Sequence, residues 1–108
     1  MKPHFDLRVP AITAIDIRNF TNKKISLQVA RLDMIHPVVS GNKLFKLYYF
    51  LEETMATAHK TILTFGGAYS NHLVATAYAC YTSGLHSIGI VRGERPDEFS
   101  PTLKACET

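Results

Sequence analysis

The sequence predicts an α/β fold with a parallel sheet. Apolar runs bounded by glycine alternate with helix-period stretches, in the order strand–helix–strand–helix–strand. Right-handed crossovers are the default for such units. Beyond the last strand, Ser100-Pro101 pairs an N-cap residue with proline at the first helical position, a strong helix start.

The first 24 residues are irregular, punctuated by Pro3 and Pro10, and Ile12, Ile15 and Ile17 suit a short turn or helix packed on the body. Ile25 to Asp33 alternates, with Ile25, Leu27 and Val29 apolar and Ser26 and Gln28 between them, which predicts a half-buried strand. Met34 to Val39 is a connection in which Pro37 biases His36 toward extended geometry. A helix follows from about Lys43 to Ala58, with Asn42 as N-cap and Leu44, Leu47, Tyr48, Leu51, Met55 and Ala58 on one face. Thr61 to Phe65 reads as a strand. The next helix runs from about Ser70 to Ser83, with Leu73, Val74, Ala77 and Tyr81 on its buried face and Gly84 as C′ residue. His86 to Val91 reads as a buried strand. Only Thr102 to Thr108 lie beyond Pro101. A parallel sheet needs helices on both faces, and these elements are too few to supply them. Residues 1–108 are therefore expected to be the N-terminal part of a longer protein; the alternative is an oligomer that completes the sheet between chains.

A composition of 46% hydrophobic and 19% charged residues is that of an ordinary globular domain. The net charge of +3 is small and dispersed, with Lys23-Lys24 the one adjacent basic pair, so nucleic acid is not expected as a partner. No apolar run approaches the roughly 18 residues that suggest a membrane span. The N-terminus lacks the apolar core of a secretion signal. Cys80 and Cys106 form no Cys-x-x-Cys or zinc pattern, Cys80 suits a small core residue, and no metal is expected. These features fit a cytoplasmic protein.

Two stretches stand out chemically. Ser40-Gly41-Asn42-Lys43-Leu44-Phe45-Lys46 places two lysines in a helix's first turn, where backbone N–H groups already carry partial positive charge. Each misplacement costs about 0.3–1 kcal/mol at an exposed site. Rules broken without local gain mark candidate functional positions. A lysine near positive charge and partly out of water gives up its proton more readily and can attack a carbonyl. The alternative is two solvated surface lysines. Phe65-Gly66-Gly67-Ala68-Tyr69-Ser70-Asn71-His72 joins a strand's C-terminal end to a helix start, where ligands bind in α/β sheets. It matches neither the Rossmann nor the Walker glycine pattern, and could be a plain tight turn. Ser70 and His72 do not form a hydrolase pair, since no Gly-x-Ser-x-Gly elbow is present.

Together with Arg31-Leu32-Asp33 and Pro101-Thr102-Leu103-Lys104, these two stretches resemble the 1-aminocyclopropane-1-carboxylate deaminase / D-cysteine desulfhydrase family. These are pyridoxal-phosphate enzymes of the tryptophan-synthase-β-like group, with a three-layer parallel-sheet fold that would be incomplete in this chain. The resemblance runs from about Ile25 to the end, and family members are about three times this length. It implies that Lys43 is the Schiff-base lysine and Asn71 the contact to the cofactor's phenolic oxygen. Ser70 would lie by the substrate carboxylate and reacting carbons, Lys46 on the phosphate side, and His72 at the family's histidine or glutamine position. Phe45 departs from the family's usual arginine, which changes the local charge. The family's later glycine-rich phosphate loop, pyridine-nitrogen partner and tyrosine-bearing C-terminal segment have no counterpart in the sequence.

The implied activity is a lyase or deaminase acting on a small amino acid, D-cysteine or an aminocyclopropane acid, with release of ammonia and a 2-oxo acid. The cofactor is pyridoxal 5′-phosphate, and the full-length protein is expected to be a homodimer. The competing expectations are a binding or folding unit without turnover and a small phosphate- or nucleotide-binding domain.

Overall fold

A computed structural model describes residues 3–107. Strands β1 (Ile12–Ile15) and β2 (Leu27–Ala30) form one antiparallel pair, with Ile12 opposite Ala30 and Ile15 opposite Leu27. A 3-10 turn over Leu32–Met34 leads to helix α1 (Asn42–Ala56). Strand β3 (Thr61–Gly66), helix α2 (Asn71–Thr82) and strand β4 (His86–Val91) form a parallel unit, and helix α3 (Pro101–Cys106) follows.

Four sequence-based expectations are corrected. Ile12 and Ile15 belong to a strand, not to a turn or helix packed on the body. The strand expected from Ile25 is shorter, exposed throughout, and paired with β1 rather than with the parallel sheet. Its alternation is real, but the face it would bury has nothing against it among the described residues. Strand β4 is likewise exposed along its length instead of buried. The buried residues of α2 are Leu73, Ala75, Thr76, Ala79 and Cys80, whereas Tyr81 is 76% exposed. Helix α2 meets α1, α3 and the sheet, so apolar residues occupy most of its circumference and periodicity alone does not choose the face.

The core forms where Leu44, Leu47 and Leu51 of α1 meet Ala75, Ala79 and Cys80 of α2, closed by Ile35, Val39 and Leu85. Each leucine contributes about 1.5–3 kcal/mol by leaving water. Burial pushes the Cys80 thiol up to about 11, as befits a core residue. His36 is buried too, edge-on to Phe5, and its Nδ1 accepts N–H bonds from Val38 (3.1 Å) and Val39 (2.9 Å).

The sheet has two unlike faces. Register puts Thr64 beside Gly89 under α2, and a Cβ at Gly89 would touch the Leu73 side chain at 3.4 Å. On the opposite face lie Leu63, Phe65, Ile88 and Ile90, exposed by 52, 66, 51 and 44%. Helices cover one face only among the described residues. The result is a mixed α/β arrangement with a small parallel sheet, and the third layer is not seen within it.

Candidate active site

Helix α1 starts differently from the expectation. Gly41, not Asn42, is the N-cap, at φ +59°, which an L-residue rarely adopts. Asn42 is the first helical residue and makes no cap bond. The turn is fixed by backbone instead: Gly41 N–H donates to the Leu32 carbonyl (2.9 Å) and Lys43 N–H to the Ser40 carbonyl (3.3 Å). Leu44 and Leu47 anchor this first turn in the core, which leaves Lys43 half-buried and Lys46 exposed.

The glycine loop leaves β3 at Gly66 and turns back through a Ser70 N–H bond to the Gly67 carbonyl (3.0 Å). A Cβ at Gly66 would lie 2.7 Å from Leu73 Cγ and 2.8 Å from Ser70 Oγ, so only glycine fits against Ser70. Ser70 is the N-cap of α2 without a side-chain cap bond. Asn71 follows as an exposed first-turn residue.

His72, one residue further, links the two stretches. Its Nε2 lies 2.8 Å from Thr64 Oγ1. Its pKa falls below the ordinary 6.5, first through burial and then through the positive charges of Lys43 and Lys46. Lys43, Lys46 and His72 therefore share one electrostatic neighbourhood. Ser70 and Asn71 adjoin it along the chain.

Three residues not singled out as site residues in the sequence join this region. Thr64 sits on the α2 side of β3, as period-two alternation with Gly66 allows, and meets His72. Arg92 continues the sheet through its N–H bond to the Gly66 carbonyl (2.8 Å), and its Nη2 lies 3.7 Å from where a Cβ on Gly67 would stand. Ser100, legible in the sequence only as a cap, donates its hydroxyl to the Ala68 carbonyl. A separate cavity of about 380 Å³ lies under residues 93–99, lined by Thr64, Leu73, Arg95, Phe99 and Leu103, and includes none of Lys43, Lys46, Ser70 or Asn71. Among the described residues, no group of His, Cys, Asp and Glu is placed to hold a metal ion.

The donor set suits an anionic aldehyde cofactor. Two ammonium groups stand near a helix start, and a glycine loop gives close backbone access.

Comparison with known proteins agrees with the resemblance in the motifs. The chain is 37% identical over 70 residues to an Oryza sativa subsp. japonica protein with the provisional name D-cysteine desulfhydrase 2, mitochondrial. It is 41% identical over 71 residues to a Thermotoga maritima protein and 34% identical over 70 residues to a Pyrococcus abyssi protein, both provisionally named 1-aminocyclopropane-1-carboxylate deaminase. Each match covers 65% of this chain, but only 17, 23 and 21% of the respective relative. The chain thus resembles the 1-aminocyclopropane-1-carboxylate deaminase / D-cysteine desulfhydrase family over a minor part of those proteins' length. No family model matches the chain, and no solved structure matches it significantly. The rice relative carries a mitochondrial designation in its name. No helix among the described residues is long and apolar enough to cross a membrane.

Proposed function

We propose that this chain corresponds to the N-terminal part of a pyridoxal-phosphate-dependent lyase or deaminase of tryptophan-synthase-β-like, three-layer architecture. Its substrate is a small amino acid, D-cysteine or an aminocyclopropane acid, converted with water to ammonia and a 2-oxo acid, with sulfide leaving as well in the case of D-cysteine. The observation that supports the proposal is that Lys43 and Lys46 from one motif lie near enough for their charges to act on His72 of the other. The second motif follows the carboxyl end of β3 in a parallel βαβ unit, where α/β folds place their ligands.

In this proposal Lys43 binds the cofactor covalently and, when displaced by the substrate amine, moves the proton at the substrate's reacting carbon through Nζ. Lys46, one helical turn on, faces the phosphate. Asn71 holds the ring oxygen, Ser70 lies by the substrate carboxylate or β-carbon, and a neutral His72 adds no further cation beside Lys43 and Lys46. The cofactor supplies an electron sink. The longer protein acts as a homodimer on a small-molecule substrate, without nucleic-acid or membrane partners; the small, dispersed charge of +3 supports the absence of nucleic acid.

Mixing the protein with pyridoxal phosphate is expected to give a visible absorption band that is lost in Lys43→Ala. A wild-type protein without the band overturns the proposal. A second reading, a unit that binds without turnover, is favoured by the single helical layer and the 17–23% coverage of the relatives. It predicts the band together with no ammonia release from D-cysteine.

A further inference from the structure

We infer that Ser100 is a positioning residue for the glycine loop, holding Ser70 and Asn71 in register with the end of β3. The inference rests on the function proposed above for those two residues. Ser100 lies 32 positions from Ala68 in sequence and is 8% exposed. Its hydroxyl makes two bonds at once. It donates to the Ala68 carbonyl, and it accepts the Leu103 N–H at 3.1 Å, which caps α3.

The loop needs an outside anchor. Gly66 is held by packing and by the Arg92 N–H, whereas Gly67 is held through its carbonyl by Ser70 of the same loop, and a Cβ there would meet only Arg92 Nη2 at 3.7 Å. Glycine offers the backbone more freedom than any other residue. Between Gly67 and Ser70, the bond from Ser100 to the Ala68 carbonyl ties the loop to a different element. Helix α3 is in turn fixed by Leu103, which is buried. The path from the packed α3 to the site loop is therefore one hydroxyl long.

Residue chemistry accounts for the choice of serine. Asp, Asn, Thr and Gly also cap helices, and replacing serine by glycine at a cap costs only a few tenths of a kcal/mol. A cap alone would accept any of them. A single atom that both accepts an N–H and donates to a carbonyl must be a hydroxyl.

The test uses the full chain and three variants. Ser100→Gly keeps a competent cap and removes the donor; Ser100→Asp keeps the acceptor and removes the donor; Ser100→Thr keeps both. Two quantities are measured: amide hydrogen exchange of residues 68–72 relative to β3, and the dissociation constant for pyridoxal phosphate by absorbance titration. The expected result is about tenfold faster exchange confined to the loop and about tenfold weaker cofactor binding in Gly and Asp, both restored in Thr. Unchanged loop exchange overturns the tether. Faster exchange spread evenly over the chain also overturns it, because that is a general loss of stability. Faster loop exchange with unchanged affinity overturns the positioning role. A wild type that fails to bind pyridoxal phosphate overturns the proposed function instead, which the exchange of the variants separates from a failed tether.

Discussion

His72 carries most of the electrostatic information in the site. It is only partly out of water, yet burial and two neighbouring ammonium groups act in the same direction and oppose its protonation. The unfolded chain binds a proton on this side chain near 6.5, whereas the folded chain does so at lower pH. Below 6.5 the unfolded state therefore holds more protons. The stability contribution is complete above that value and is lost as pH falls toward the folded pKa. Urea denaturation at pH 7 and pH 5 should show a smaller difference in midpoint for His72→Gln than for wild type. Removing one of the cations, as in Lys46→Gln, should move the His72 titration followed by NMR upward toward its ordinary value. A titration indifferent to Lys46 would contradict the shared neighbourhood of the two helix starts.

At the scale of elements, the loop between β3 and α2 is held by exclusion as much as by bonds. Gly66 lies under Ser70 and Leu73, and the Cβ of an alanine would come within 3 Å of both. Gly66→Ala must displace the N-cap of α2 or the buried leucine, and should destabilise by about 1–3 kcal/mol, read as a lower melting midpoint. Under the proposed function it also weakens pyridoxal-phosphate binding beyond what the stability loss explains. Much of this layout was legible beforehand. Helix α1 shows its leucine period, β3 runs into Gly66-Gly67, β4 lies between Gly84 and Gly93, Gly84 closes α2 at φ +68°, and Ser100-Pro101 opens α3. These signals are local. What was not legible depends on partners distant in sequence: the pairing of β2 with β1, the face that α2 buries, and the bond from Ser100 to Ala68. The start of α1 was misplaced for a different reason. Gly41 and Asn42 are both good terminators, and only the backbone conformation decides between them. For the site, i to i+3 spacing puts Lys43 and Lys46 on one face, but their approach to His72 depends on how α1 packs against α2.

The whole molecule is thin and open. Its extents are 55 × 39 × 17 Å, and its radius of gyration of 17.6 Å exceeds the roughly 13 Å of a compact chain of this length. Its accessible surface of 8315 Å² compares with roughly 6,000 Å² for a folded monomer of this mass. The excess includes the sheet face of Leu63, Phe65, Ile88 and Ile90, a contiguous apolar surface of the kind that marks an interaction site. The isolated chain should self-associate as its concentration rises, seen as an increasing sedimentation coefficient. The pair Phe65→Thr and Ile90→Thr should suppress this while leaving the α1–α2 core intact. Lys43, half-buried, and Lys46, exposed, hold two positive charges near the His72 ring. Under the proposed function, an incoming phosphate-bearing anion is drawn toward them before contact, over a reach of about 8 Å at physiological ionic strength. Capture is then fast in dilute salt and slows as salt is added, whereas escape is set at contact and changes little. The lysines act on the tempo of encounter before either forms a bond.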